Sequence, residues 1–271
     1  MKIRFIDEYS SHTGGRLGRH VEHDPRSRAY ALSEDLLPST YTSAVHTVRI
    51  PVLDQGDLGS CTGNAAEAFT GSDPLYDAIP TTVKARPTGD AGADETQAVA
   101  LYAAATRLDN VQGVYPPTDT GSTGVAVAKA AQKAGLVSGY QHAFSLDSAL
   151  KALAVSPLIV GVNWYEGFDS PDPGGLVHIS GSVRGGHEFL LYGIDATRQR
   201  VLARNSWGTS WGVEGLFSFS FDDLGRLLDE DGDATLFVPL TSPAPTPTPT
   251  PTSVDQALAA SMHTWLTAKG L

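Results

Sequence analysis

A single cysteine, Cys61, stands in a setting that favours nucleophilic chemistry. It is the only cysteine among 271 residues, and it follows five turn-forming residues, GDLGS (56–60), at a point where a helix is predicted to begin. A thiol in the first turn of a helix lies at the positive end of the helix dipole, which favours the thiolate and lowers the thiol pKa. We therefore predict that Cys61 is a nucleophile, although an isolated cysteine is more often a small buried apolar side chain.

A thiolate nucleophile needs a base and a group that orients the base. His187 begins a predicted strand after Gly185 and Gly186, and Asn205 ends the next predicted strand. If these strands are antiparallel neighbours, the Asn205 amide can accept the imidazole N–H, fix the tautomer and leave the other ring nitrogen facing Cys61. His178 is a rival base, but the sequence offers it no orienting partner.

Two halves of different character must position these side chains. The first half is rich in predicted helices, with Ser122 as the expected cap and Gly135 as the expected end of one of them. The second half is rich in predicted strands. This order indicates an α+β fold with the site in a cleft between the halves. The predicted helices begin at 61 and cover 94–108, 121–136 and 146–154, and the predicted strands cover 157–164, 188–195, 200–207 and 215–221.

The chain divides into four parts. Residues 1–48 are polar and predict an extended, weakly structured arm, and residues 49–240 form the globular body. The stretch TSPAPTPTPTPTS (241–253) predicts an extended linker, because alternating prolines remove backbone donors. Residues 254–271 carry apolar side chains at helical spacing, which predicts a short amphipathic helix that binds a protein partner or a second copy of the chain. A frayed C-terminus is the alternative.

Composition excludes several classes of partner. The net charge of −11 disfavours nucleic acid and anionic membrane surfaces, and no apolar run is long enough to span a membrane. A lone cysteine forms no internal disulfide, and the N-terminus lacks the apolar run of a signal peptide. We expect synthesis and folding in a reducing cytoplasm, with later release or incorporation in an assembly left open.

Two stretches carry side chains of types that bind metals. His12, His20 and His23 have no cysteine or carboxylate at a ligand-like spacing, which favours a solvated arm. The stretch DEDGDA (229–234) has its glycine at the fourth position and no glutamate at the twelfth, which favours an acidic surface turn over a calcium loop. We therefore predict no metal site.

Three separated blocks resemble those of the papain-like cysteine peptidases: QGDLGSC (55–61), GGH (185–187) and NSWGTSWG (205–212). They occur in the family's order, and His187 and Asn205 follow Cys61 by 126 and 144 residues, close to the family's window of about 130–150. The resemblance implies a two-lobed fold with a helical N-terminal lobe, an antiparallel β-barrel-like C-terminal lobe and an active-site cleft between them. It implies a thiol-dependent endopeptidase that acts on peptide or protein substrates without a cofactor.

The resemblance also implies roles for individual residues. Cys61, His187 and Asn205 would form the catalytic triad, and Gln55 would donate its side-chain amide to the oxyanion beside the backbone N–H of Cys61. Trp207 would shield the bond between His187 and Asn205. The implied substrate-binding residues, which include a glycine-containing loop that pairs with an extended peptide, are Gly121, Ser122, Thr123, Gly124, Gly186, Glu188 and Trp207.

Departures from the family pattern keep alternatives open. Thr62 stands where the family usually has tryptophan after the cysteine, and the arm lacks the pattern of a long inhibitory prosegment.

Glu188 follows His187, where the family commonly has a small apolar residue lining the pocket for the side chain one position before the scissile residue. We expect a pocket that accepts arginine or lysine, or one filled by Glu188 bound to a neighbour; the rival reading turns Glu188 onto an internal partner. The functional alternatives are a non-catalytic binding or structural protein on this scaffold and a cell-wall peptidase or transpeptidase.

Overall fold

The computed structural model describes residues 2–4, 15–23, 25–32 and 37–240. His12, the predicted linker 241–253 and the predicted helix 254–271 lie outside the described residues. Within the described part of the chain, no helix has the length and apolar character needed to cross a bilayer.

Four of the described helices begin after a side chain that accepts a hydrogen bond from a free backbone N–H. Asp90 accepts a hydrogen bond from the Ala93 N–H at the start of the third helix, and Ser145 caps the fifth. Thr123 caps the fourth helix, so the cap predicted at Ser122 is wrong by one residue. In the described residues the α-helices are α1 (Cys61–Thr70), α2 (Leu75–Ala78), α3 (Ala91–Ala105), α4 (Gly124–Lys133), α5 (Leu146–Leu153) and α6 (Phe221–Asp229).

The strands form one large antiparallel sheet and a separate small pair. The described strands are β1 (Lys2–Arg4), β2 (Val21–His23), β3 (Ala44–Val45), β4 (Gly139–Ala143), β5 (Leu158–Tyr165), β6 (Val183–Asp195), β7 (Arg200–Arg204), β8 (Leu216–Ser220) and β9 (Asp233–Val238). The large sheet has seven strands in the order β4-β9-β5-β6-β7-β8, with β3 paired to β6. The predicted α+β class is confirmed, but the sequence did not predict β4, β9 or α6, and Phe221 begins α6 instead of ending a strand.

Helix α1 is the central element, because all ten of its residues are buried. It packs between α3 on one side and β6 on the other. Gly63 allows the close approach to α3: a Cβ there would lie 2.2 Å from the carbonyl oxygen of Ala98. Helix α1 therefore holds its first residue, Cys61, rigidly against the sheet.

The same helix buries a carboxyl group away from the cleft residues. Glu67 has no solvent exposure, and burial, together with the nearby carboxylates of Asp94 and Glu95, raises its pKa to about 9. The Glu67 side chain is therefore protonated and neutral at pH 7 in the folded chain.

Candidate active site

Cys61 is the first residue of α1, as the turn-forming residues before it predict. Its side chain is completely buried, and burial raises the thiol pKa to about 12. The negative charge of Glu188 acts in the same direction, while the positive charge of Arg19 opposes it. The lowered thiol pKa expected from the helix dipole is therefore not found here, because loss of water around the thiol outweighs the dipole.

His187 and Asn205 meet across two antiparallel strands. His187 lies within β6, and Asn205 directly follows β7, the neighbouring strand. The Nε2 atom of His187 lies 2.7 Å from Oδ1 of Asn205. Because Oδ1 only accepts hydrogen bonds, this contact places the imidazole proton on Nε2. Burial lowers the His187 pKa to about 4, so the imidazole is neutral, and its Nδ1 has no hydrogen-bond partner among the described residues.

Aromatic rings enclose this histidine. The Trp207 ring centroid lies 4.9 Å from that of His187, and Trp164 packs edge-on at 4.8 Å. Trp211 lies 5.3 Å from Trp207. Both rings beside His187 are buried, so they keep water from its bond with Asn205. Trp164 was not predicted as a site residue, because its strand carries only the signal of a buried strand.

Gln55 is held with its amide nitrogen towards the cleft. Its Oε1 accepts a hydrogen bond of 2.6 Å from the Ser206 hydroxyl, which fixes the orientation of the amide. Its Nε2 donates to the carbonyl oxygens of Leu58 at 2.8 Å and Arg16 at 3.1 Å. The Arg16 carbonyl also accepts a hydrogen bond of 3.1 Å from Trp207 Nε1. The Arg16 carbonyl oxygen therefore accepts a hydrogen bond from Gln55 Nε2, the donor that the resemblance assigns to the oxyanion.

The Arg16 carbonyl belongs to residues 15–20, which we name the cleft segment. The backbone N–H groups of Gly18 and Arg19 donate to the Gly186 carbonyl at 3.2 and 2.9 Å. His20 N–H donates to the Ser122 carbonyl at 2.8 Å, and Ser122 N–H donates to the Gly18 carbonyl at 2.9 Å. The cleft segment therefore lies across the site beside Cys61 and His187. The sequence did not predict this packing for part of an arm expected to be weakly structured.

The structure places the other predicted binding residues around the same segment. Gly121 has a φ of +66°, and a Cβ there would lie 2.3 Å from the Gly18 carbonyl oxygen. Thr123 caps α4 and donates to a Glu22 carboxylate oxygen at 3.1 Å. Gly124 lies against the buried Glu188 carboxyl group, since a Cβ there would lie 2.8 Å from Glu188 Oε1.

The remaining histidines and acidic residues lie apart from this arrangement. His178 is exposed and makes none of the contacts described for His187. His20 Nε2 contacts the Thr120 carbonyl oxygen at 2.8 Å, so this side chain packs against the body and is not simply part of a solvated arm. Across the described ranges, no group of three or more His, Cys, Asp or Glu side chains could hold a metal ion.

Comparisons with known sequences give two relatives. No family model matches the chain. It is 26% identical over 187 residues to cathepsin B-like CP3 of Giardia intestinalis, a match covering 61% of this chain and 62% of that protein. It is 40% identical over 63 residues to cathepsin B-like cysteine proteinase 6 of Caenorhabditis elegans, covering 22% of this chain and 17% of that protein. The chain thus spans less than two thirds of the length of these relatives.

Solved structures share the overall architecture. Xylellain, a cysteine protease from Xylella fastidiosa, superposes with a TM-score of 0.62 at 16% identity, covering 86% of this chain and 99% of that one. Procathepsin B S9 from Trypanosoma congolense gives a TM-score of 0.58 at 12% identity, covering 83% and 87%. At these identities the likeness shows a common fold.

Proposed function

We propose that this chain, which has the two-lobed fold predicted from its resemblance to the papain-like cysteine peptidases, is a thiol-dependent endopeptidase. The observation that carries the proposal is the hydrogen bond of 2.7 Å between His187 and Asn205, because His187 lies on β6, the strand against which α1 and its first residue Cys61 pack. Helix α1 supplies the thiol, β6 supplies a histidine bonded to Asn205 at 2.7 Å, and Gln55 supplies an amide fixed by Ser206. These groups are a nucleophile, an oriented base and an oxyanion donor.

The chemistry follows from the protonation states of the site. The neutral His187 holds its proton on Nε2, so Nδ1 is free to accept the proton of the Cys61 thiol. The thiolate attacks the peptide carbonyl carbon, and the carbonyl oxygen gains negative charge near Gln55 Nε2 and the Cys61 N–H. The carbon–nitrogen bond then breaks as His187 returns the proton to the leaving amine. Water, deprotonated by His187, hydrolyses the thioester and restores the thiol.

These chemical steps require the cleft segment to leave the site. The Arg16 carbonyl binds Gln55 Nε2, and the Cys61 thiol has no solvent exposure. A substrate carbonyl reaches neither group while the segment is in place. We therefore propose that residues 15–20 restrain the enzyme, and that the Cys61 pKa falls when the segment leaves and water enters.

Three variants test the catalytic proposal. We expect Cys61→Ser and His187→Ala to abolish hydrolysis of a fluorogenic peptide library, because each removes a group that forms or transfers a bond. His178→Ala is the matched control, since this histidine is exposed and outside the site, and it should hydrolyse the library at the wild-type rate. Full activity in Cys61→Ser would refute the proposal. An absence of hydrolysis in wild type and in variants with the segment displaced would favour the non-catalytic alternative.

A further inference from the structure

The Asp119 carboxylate joins three separate parts of the chain beside the site. Its Oδ2 accepts hydrogen bonds from the Gly59 N–H at 2.9 Å and from Arg16 Nη2 at 3.2 Å. Its Oδ1 accepts a hydrogen bond of 2.6 Å from the Tyr102 hydroxyl. Gly59 belongs to the turn before Cys61, Tyr102 belongs to α3 and Arg16 belongs to the cleft segment. One carboxylate therefore binds the turn, a helix and the segment that covers the cleft.

The Tyr102 hydroxyl fixes the loop from which Asp119 projects. It donates to Asp119 and accepts a hydrogen bond of 3.0 Å from the Gly121 N–H. The Tyr102 side chain has no solvent exposure, so this hydroxyl is held inside the protein. Burial raises the pKa of Asp119, but the hydrogen bonds from Tyr102 and Gly59 and the charge of Arg16 outweigh burial and leave this pKa below its usual value. The carboxylate is therefore ionised at neutral pH and acts only as an acceptor.

Asp119 and Tyr102 contact the chain on both sides of Cys61. Gly59 lies two residues before the thiol, and a Cβ there would lie 2.8 Å from Asp119 Oδ1. Gly63 lies two residues after the thiol, and a Cβ there would lie 2.9 Å from the Tyr102 Cβ. Only glycine allows such a close approach at either position. The backbone before and after the thiol is therefore packed against one hydrogen-bonded pair of side chains.

The turn that Asp119 holds also carries the proposed oxyanion donors. Gln55 Nε2 donates to the Leu58 carbonyl oxygen at 2.8 Å, and the Leu58 N–H donates to the Gln55 carbonyl oxygen at 3.1 Å. Gly59 follows Leu58 directly, so a shift of Gly59 moves the carbonyl group that binds the Gln55 amide. The same shift moves the backbone N–H of Cys61, two residues further along. A misplacement of about 1 Å in a catalytic site can lower the rate about 10²-fold.

We propose that Asp119 is a positioning residue for peptide hydrolysis, which together with Tyr102 fixes residues 55–60 and so aligns the two oxyanion donors. This inference rests on the proposed function and adds two side chains that act through the turn without touching the substrate. The rival explanation is that Asp119 serves only as the ionic partner of Arg16 and so holds the cleft segment in place.

Steady-state kinetics separates these two roles. The cleft segment competes with substrate, so a weaker hold on the segment lowers KM and leaves kcat unchanged. A misplaced oxyanion donor lowers kcat, because the donor stabilises the transition state. The full chain would carry Asp119→Asn or Asp119→Ala, each made once with Arg16 in place and once with Arg16→Ala. Hydrolysis of one fluorogenic peptide would give kcat and KM for every chain.

We expect kcat to fall about tenfold in Asp119→Asn and about 10²-fold in Asp119→Ala, with or without Arg16→Ala. Asparagine keeps one oxygen that accepts from the Gly59 N–H and alanine keeps none, so asparagine should rescue part of the loss. Tyr102→Phe should lower kcat less than Asp119→Ala and should add nothing to it, because the hydroxyl acts through the carboxylate. Asp57→Asn is the matched control: Asp57 is exposed in the same turn, and its kcat should equal that of wild type.

Hydrogen exchange of residues 56–60 gives a second measurement that needs no turnover. We expect deuterium uptake in this stretch to be faster in Asp119→Ala and unchanged in Asp57→Asn, because only the first removes the acceptor of the Gly59 N–H. Thermal melting reports whether each variant is folded, and if Asp119→Ala does not fold, Asp119→Asn takes its place in both measurements.

A wild-type kcat in the folded Asp119 variant would overturn the proposal. A lower KM at unchanged kcat that disappears with Arg16→Ala would overturn it in favour of the rival explanation. Unchanged hydrogen exchange would also overturn it, even in a chain that cleaves no peptide. Faster exchange without hydrolysis by any chain would instead overturn the proposed function and keep the role of Asp119 in fixing the turn.

Discussion

Replacement of Gly18 by alanine should displace the cleft segment without changing any charge. A Cβ on Gly18 would lie 2.1 Å from the Gly59 carbonyl oxygen and 2.5 Å from its carbon. These are backbone atoms, and the Gly59 N–H is held by Asp119 at 2.9 Å, so Gly59 does not move aside easily. The segment must instead shift by about 1 Å to reach a tolerable contact.

The size of the effect follows from the hydrogen bonds that such a shift disrupts. Gly18 and Arg19 both donate to the Gly186 carbonyl, and the Gly18 carbonyl accepts from Ser122. At about 1 kcal/mol for each bond, loss of two or three destabilises the closed state by about 2–3 kcal/mol. The open fraction of a mostly closed chain then rises about 30- to 150-fold.

The assay is the rate at which iodoacetamide alkylates Cys61, because this reaction needs an accessible thiol but not a working catalytic site. The value of kcat/KM for a hydrolysed peptide should rise by the same factor. Gly92→Ala is the matched control: Gly92 is exposed in α3, and the nearest atom to a Cβ there is 3.6 Å away. Unchanged alkylation in a Gly18→Ala protein with native melting behaviour would show that the segment does not close the site.

Four further predictions concern the site, the core and the tail. Gln55→Ala should lower kcat by about 10²–10³, as loss of an oxyanion donor does, measured by steady-state hydrolysis. Asn205→Ala should reduce kcat less than His187→Ala, because the asparagine orients the imidazole and transfers no proton. Since Glu67 has its pKa raised from 4.5 to about 9, the folded chain retains a proton that the unfolded chain releases. The contribution of Glu67 to the free energy of unfolding should therefore be complete below about pH 4.5 and decrease as the pH rises to about 9, with a loss of about 3 kcal/mol at pH 7. Urea titrations of Glu67→Gln at several pH values should lack this decrease. Removal of residues 241–271 should leave peptide hydrolysis intact, and loss of folding on truncation would show that the tail belongs to the core.

The sequence predicted the elements that carry the site because the signals are local. Turn-forming residues precede Cys61, two glycines precede His187, and Asn205 stands at the end of a predicted strand. Each of these patterns is complete within about ten residues. The antiparallel pairing of β6 and β7 then brings the histidine and asparagine side chains together at 2.7 Å.

The sequence did not predict the closed state because its contacts are distant along the chain. The side chains of Arg19 and Asp233 form an ion pair although the two residues are 214 positions apart, and neither lies in a motif that requires the other. The raised pKa of Cys61 likewise depends on what covers the thiol, and the helix position alone predicts the opposite direction. Local patterns therefore specified the chemical groups and left their access to solvent undetermined.

Because the cleft segment is part of the same chain, dilution does not weaken its hold on the cleft. A tethered ligand acts at an effective concentration in the millimolar range when its linker spans the two sites. An external peptide must compete with the tethered segment at that concentration, so its apparent affinity for the wild-type cleft is weaker than its affinity for the open cleft. The degree of inhibition should be the same at nanomolar and micromolar protein, which sets this arrangement apart from inhibition by a second molecule.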